Sequence, residues 1–279
     1  MLAFILFSLC IIVAAVAIKM RRKGIVDWSK QKAVIVGGSG AIGRALARKL
    51  KEKGVEVITV DVKDSQILCD ATDASQVSSI FAGLPDATIL FNCQGIMNSG
   101  KPLIECELSD LEKSININLL SLLYTTRAFL CNATHPFYII NVTSCLGLGG
   151  VAYLTDYCAS KFGVVGFSEA LRNELKNEGV GVLTVCPFWI QDSPMFTGKV
   201  NIKFPFLFRP LTTQQVAQSI ISAVEQNKSE LWMPWWVNFI GILRLLPTFL
   251  FDSLQQFVGS SNALCPLKFK KEISLPKHE

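Results

Sequence analysis

The chain has 279 residues, 50% of them apolar and 18% charged. Ordinary soluble domains carry about 25% charge, so this balance excludes intrinsic disorder and suits a membrane-associated enzyme built as one large domain, or as one domain plus an appendage. The net charge of +5 gathers in two clusters, Lys19/Arg21/Arg22/Lys23 and Lys268/Lys270/Lys271, with no basic stripe between them, so it reads as membrane-flanking and no nucleic-acid partner is expected. The two histidines, His135 and His278, exclude a His-rich metal site. The nine cysteines form no CxxC and are odd in number, which argues against zinc ribbons and a disulfide framework and for a reducing compartment. No metal is expected.

In chain order, residues 1–18 come first and carry no charge. As a helix they would span about 27 Å, close to the roughly 30 Å hydrocarbon core of a bilayer. A cleaved signal peptide needs positive charge before its apolar run, and here the charge follows it. A buried core helix would need apolar partners on every side. An uncleaved membrane anchor over 1–23 fits best, with the basic flank in the cytosol; monotopic insertion into a lipid-droplet surface fits the same residues.

From residue 31, apolar strands alternate with helical patterns. The pattern predicts strands over 33–36, 55–60, 66–69, 87–92, 137–142, 182–186 and 230–233, and helices over 41–53, 111–130, 155–178 and 213–226. Strand and helix in alternation imply an α/β fold, a Rossmann-like doubly wound parallel sheet with helices on both faces, occupying 24–234. The remainder, 235–279, is an apolar C-terminal extension. Residues 231–258 are rich in Trp and Phe but carry Pro234, Pro247, Arg244 and Asp252. Two readings stay open: a membrane-interface segment, or a strand followed by helices that cover a substrate pocket.

The first strand runs into Gly37-Gly38-Ser39-Gly40-Ala41-Ile42-Gly43. A glycine-rich turn between strand and helix lets backbone approach a pyrophosphate, and the helix N-terminus supplies N–H donors. Gly37, Ser39, Gly40, Ile42 and Gly43 are the expected contacts. The second strand ends in Asp61, 18 residues after Gly43. A carboxylate there can bind ribose hydroxyls and repels a 2′-phosphate, so NAD(H) is expected over NADP(H). Tyr157 and Lys161 stand four apart in a helical stretch and share one face. A tyrosine is a poor base at its usual pKa of about 10, and a nearby ammonium lowers that value. Ser144 stands 13 residues before Tyr157, at the end of the fifth strand.

These residues, in this order, resemble the short-chain dehydrogenase/reductase family over roughly residues 32–234. The resemblance implies Tyr157 as general acid/base, Lys161 tuning it and binding the nicotinamide ribose, and Ser144 binding the substrate oxygen. Asn118 is similar to the family asparagine that holds a water in a proton relay. Asn92-Cys93-Gln94-Gly95 looks like the family's Asn-Asn-Ala-Gly, implying cofactor contacts at Asn92 and Gly95, and Asp70 resembles its adenine-contacting aspartate. Pro187 and Ile190 complete the expected cofactor contacts. Four departures stand out: Val36 for a threonine, Ala41 for the middle glycine of the turn, Phe188 for the glycine after Pro187, and Asp192 where a threonine often binds the carboxamide. Read literally, Gly37, Gly40 and Gly43 spell the extended subfamily's pattern; the Ser144 to Tyr157 spacing and the 92–95 stretch favour the shorter subgroup.

The anchor and aromatic extension resemble the membrane-bound retinol and hydroxysteroid dehydrogenases. The expected function is hydride transfer between NAD(H) and the carbinol or carbonyl carbon of a lipophilic substrate: a retinoid, steroid or fatty alcohol. Phe188, Trp189, Met195, Phe196, Phe204, Phe206 and Phe208 would line a substrate tunnel, face a membrane or merely pack. Two other readings stay open: a catalytically silent NAD-binding scaffold on membranes or lipid droplets, and an extended-type enzyme on a sterol or sugar nucleotide. A homodimer through the two long helices is a family expectation. The expected location is the endoplasmic reticulum membrane or lipid droplet, with the catalytic body facing the cytosol.

Overall fold

Short β-branched runs followed by helical periods bury both their faces as a parallel sheet between two helical layers. The computed structural model describes residues 26–98, 100–193, 195, 204, 206 and 208–258. Strands β1 (Lys32–Val36), β2 (Glu56–Asp61), β3 (Ile67–Leu68), β4 (Ile89–Asn92), β5 (Tyr138–Val142), β6 (Gly181–Pro187) and β7 (Glu230–Met233) lie in the order 3-2-1-4-5-6-7, every neighbouring pair parallel. The order reverses between β1 and β4, and sheets of this kind bind ligands beyond the strand ends at that point.

Helices α1 (Ala41–Glu52) and α6 (Thr213–Glu225) cover one face of the sheet, and α2 (Ala74–Ala82), α4 (Ser121–Asn132) and α5 (Thr155–Glu174) the other. Side chains alternate along each strand. In β1, Ala33 and Ile35 join Leu46, Leu50 and Ile220 in one core, while Val34 and Val36 join Phe81 and Phe129 in the other. A 3-10 turn at Trp28–Lys30 precedes β1; the Trp28 indole is buried and donates to Glu225 Oε1 at 2.9 Å, pinning the start of the body to α6.

Three elements differ from the sequence expectation. Helix α2 was not predicted, although Asp73 caps it by accepting from the backbone N–H of Ser75 and Gln76. The single helix predicted over 111–130 is α3 (Leu108–Ile115), a π-helical turn at Asn116–Leu120, then α4; the Ser121 N–H reaches the Asn116 carbonyl, one residue further than α-helical spacing. The helix predicted to residue 178 ends at Glu174 and closes with a 3-10 turn at Leu175–Asn177, ahead of Gly179 at φ +76°.

Residues 231–258 form a strand with covering helices: β7, a turn at Trp235–Val237, α7 (Asn238–Leu243) and α8 (Thr248–Val258). Phe251, Leu254, Gln255 and Val258 of α8 line a cavity, at helical spacing, while Phe249 and Phe257 are exposed. Among the described residues no helix is long and apolar enough to cross a membrane. The expected anchor over 1–23 and the tail after residue 258 lie outside the described residues.

Candidate active site

The glycine turn closes β1 onto α1. Gly37 has φ +77°, the left-handed region that glycine adopts without strain. A Cβ on Gly43 would lie 2.2 Å from the Gly37 carbonyl oxygen, and one on Gly37 would lie 2.6 Å from Gln94 N. The turn is therefore packed backbone to backbone against α1 and the segment after β4. Gly40, the N-cap of α1, has no side chain to occupy the helix's first amides. A bare helix N-terminus behind a side-chain-free turn fits a pyrophosphate. Ile42, one turn further, lines the cavity.

At the tip of β2, Asp61 Oδ2 accepts from Ser39 Oγ at 2.7 Å and Ser39 N at 3.0 Å, and Oδ1 accepts from Val62 N at 2.8 Å. The carboxylate thus stands beside the glycine turn as expected. The expected role of Ser39 is corrected: its donors hold Asp61 instead of facing a pyrophosphate. Asp70 sits on the exposed loop after β3, where its Oδ1 accepts from Thr72 N and Oγ1 at 2.9 and 2.7 Å; it closes a local turn and does not line the cavity.

Ser144 follows β5, and its Oγ accepts from Leu146 N at 3.2 Å. The turn at Cys145–Gly147 then lets α5 approach: a Cβ on Gly147 would lie 2.7 Å from the Lys161 carbonyl oxygen, which also accepts from Thr143 Oγ1 at 3.0 Å. Helix α5 presents Tyr157 and Lys161 one turn apart. Lys161 Nζ lies 5.7 Å from the Tyr157 ring centroid and 3.4 Å from the Val142 carbonyl oxygen, and Ser144 hydrogen-bonds the phenol. These three side chains, with Gly95, Pro187 and Ile190, line one cavity of about 310 Å³. A Cβ on Gly95 would sit 3.2 Å from Lys161 Nζ, so the glycine leaves the ammonium room.

Burial sets the protonation of this group. It pulls the Lys161 ammonium down to about 8 and pushes the Tyr157 phenol well above its usual range, against the pull of the Ser144 hydrogen bond. The Lys161 ammonium lies over the Tyr157 ring, and desolvation of the phenolate is the largest influence on the phenol. The Cys93 thiol, also on the cavity, is pushed up to about 12 by burial.

One further role is corrected. Asn92 is fully buried with its side chain committed inward: Nδ2 donates to Thr126 Oγ1 and Asn141 Oδ1, both at 2.9 Å, and Oδ1 accepts from Thr125 Oγ1 at 2.7 Å. It ties β4 to β5 and α4 and has no donor left for a cofactor. Asn118 clasps the chain after Gly95: Oδ1 accepts from Ile96 N at 2.7 Å, and Nδ2 donates to Ile96 O at 2.9 Å and Ser160 Oγ at 3.0 Å. Its side chain thereby fixes the backbone that follows Gly95 beside the cavity. The departure at Asp192 is also explained: its two oxygens accept from Thr213 N and Oγ1, each at 2.8 Å, anchoring the start of α6.

Residues that sequence reasoning did not single out complete the site. Thr143 and Gly147 seat α5; the only signal was a small-residue run around Ser144. The far wall of the cavity comes from Trp236, Ile240, Phe251 and Leu254, facing Phe188. Arg244 Nη1 donates to Leu148 O at 3.3 Å, and Gln255 Nε2 to Gly150 O at 2.9 Å, tying this wall to the loop between Ser144 and Tyr157.

Residues 31–201 match the family model described as short chain dehydrogenase. A Bos taurus protein named Short-chain dehydrogenase/reductase 3 is 30% identical over 268 residues, covering 87% of this chain and 88% of that protein. Epidermal retinol dehydrogenase 2 of Mus musculus is 30% identical over 242 residues, covering 77% of each. Among solved structures, a short chain dehydrogenase from Burkholderia cenocepacia in complex with NADP superposes with a TM-score of 0.72 at 22% identity, covering 84% of this chain and 99% of that one.

Proposed function

Since the chain belongs to the short chain dehydrogenase family and is an NAD(P)-dependent oxidoreductase, we propose that its substrate is a lipophilic alcohol or carbonyl compound and that its preferred cofactor is NAD(H). The observation that carries this reading is the cavity itself. Its reacting end has Ser144, Tyr157 and Lys161, and its other end is walled by Phe188, Trp236, Ile240, Phe251 and Leu254. A long apolar body with one polar carbon-oxygen group matches that division.

The turn of Gly37, Gly40 and Gly43 would hold the pyrophosphate, Asp61 a ribose diol, and Lys161 the ribose next to the nicotinamide. When bound, the nicotinamide supplies or accepts the hydride. Ser144 holds the substrate oxygen within reach of the Tyr157 phenol. Burial keeps that phenol protonated at neutral pH, the form that gives a proton to a carbonyl oxygen under reduction. In the reverse direction the phenolate takes the proton from the alcohol. Asp61 supports the choice of NAD(H): three donors fix its carboxylate, and among the described residues no ion pair neutralises it, so a 2′-phosphate would meet like charge. Binding constants for NADH and NADPH test this, and tighter NADPH binding would overturn it. A panel of retinoids, steroids and fatty alcohols offered to detergent-solubilised protein tests the substrate class; turnover confined to small polar substrates would refute it.

The cap also supports a membrane setting. Trp235, Phe239, Ile242, Leu245, Phe249 and Leu250 stand exposed on the outside of the helices that wall the cavity. Exposed apolar side chains this numerous mark an interaction surface. A lipid surface accepts such a face and delivers lipophilic substrate to the same cavity. With residues 1–23 as anchor, the protein would sit at the endoplasmic reticulum membrane or a lipid droplet with its body in the cytosol. A glycan on Asn132 or Asn227 would overturn that topology.

A further inference from the structure

Gln94 is the residue that the site described above does not use. It is 9% exposed and lines the cavity, yet neither its Nε2 nor its Oε1 has a hydrogen-bond partner. A buried amide that leaves a donor and an acceptor unpaired is destabilising, and native structures keep few of them without a reason. The position is telling. The Gln94 backbone nitrogen lies where a Cβ on Gly37 would come within 2.6 Å, and the next residue, Gly95, faces Lys161 Nζ. Gln94 therefore stands between the glycine turn and the catalytic lysine. The corresponding place in the Asn-Asn-Ala-Gly pattern is an alanine, which has no polar group to satisfy.

We propose that Gln94 is a cofactor-binding residue whose amide engages a ribose of the nicotinamide dinucleotide, Nε2 donating to one hydroxyl oxygen and Oε1 accepting from its neighbour. The chemistry of the amide selects the sugar. A vicinal diol offers both an acceptor and a donor, whereas a phosphate oxygen would satisfy Nε2 and turn negative charge on Oε1. The apolar far wall of the cavity offers the amide nothing. This inference rests on the cofactor site placed at the glycine turn and Lys161.

The test is titration of NADH fluorescence with the full-length protein and with Gln94→Ala and Gln94→Leu, alongside the melting temperature of each protein without ligand. The expected result is an approximately tenfold weaker Kd for NADH in both variants, about 1.4 kcal/mol, with a ligand-free melting temperature equal to or above that of the parent. A purely structural role would weaken binding and lower the melting temperature together. A Kd within twofold of the parent in Gln94→Ala would overturn the inference, as would weaker binding accompanied by a lower ligand-free melting temperature in both variants. If the parent protein binds neither NADH nor NADPH, the cofactor site itself is misplaced and the inference falls with it, an outcome distinct from a variant that binds as well as the parent.

Discussion

The two ends of the cavity treat polar and apolar side chains in opposite ways. At the floor, Asn92, Asn118, Asn141 and Ser160 have no solvent exposure, and each is hydrogen-bonded to another strand, helix or backbone segment. At the cap, Leu245 is 85% exposed and Phe249 68%, and the polar side chains Arg244 and Gln255 reach inward to carbonyls. A buried polar network holds one geometry because each member's loss strands its partners. An exposed apolar face adds little to folding, and its use lies outside the fold. A fixed polar geometry and an exposed apolar face thus fall in different parts of one chain.

Substitutions break this comparison in order of size. Tyr157→Phe at the floor removes the proton donor and leaves the packing, so turnover should fall by about 10³-fold while the melting temperature stays within a degree or so of the parent; undiminished turnover would refute the catalytic assignment. The pH dependence comes next. Lys161 is held at about 8 in the folded state against an ordinary 10.5, so between those values the unfolded chain binds a proton that the folded chain does not. The penalty is present in full below pH 8 and is relieved as pH rises toward 10.5, on the order of 3 kcal/mol. Buried thiols such as Cys93, raised in the folded state, lose stability over the same range, so the comparison is with Lys161→Met: from pH 7.5 to 9.5 the stability change in denaturant melts of ligand-free protein should be about 2 kcal/mol more favourable in the parent than in that variant. Asn118→Ala unclasps Ile96 and removes the hydrogen bond that Ser160 accepts, while the Ser160 hydroxyl still donates to the Tyr157 carbonyl; it should cost roughly 1–3 kcal/mol in denaturant melts and lower kcat more than it raises KM.

At the cap the effects should be smaller and differently placed. Gln255→Ala frees α8 from Gly150 and should raise KM for a lipophilic substrate several-fold with kcat unchanged, as steady-state kinetics would show. Leu245→Glu together with Phe249→Glu should move stability by no more than about 0.5 kcal/mol per site, yet reduce co-flotation with neutral phospholipid vesicles. Unchanged flotation would sink the membrane-facing role of this surface and sharpen the contrast toward a protein partner.

Much of the floor was legible in the chain. The glycine turn reads directly because a left-handed Gly37 and the close approach of Gly43 are local demands that only glycine meets. The pairing of Tyr157 with Lys161 reads from helical spacing, and Ser144 from its place at a strand end. What could not be read depends on neighbours far along the chain. Asn92 looks like a cofactor contact until Thr125, Thr126 and Asn141 are brought around it. Asn118 looks free until Ile96 lies beneath it, and Gln94 looks like filler until its amide is buried without partners.

By itself, then, the sequence determined the sheet-and-helix alternation, the turn at the first strand's end and the three side chains around the reacting atoms, because hydrophobic period and local backbone conformation are properties of adjacent residues. Only the tertiary structure decided the protonation of Tyr157 and Lys161, because desolvation depends on everything packed around them. It also decided that the C-terminal segment walls the pocket. Whether an aromatic stretch covers a pocket turns on which face of α8 meets Phe188 and Trp236 across the cavity, and no spacing along the chain encodes that contact.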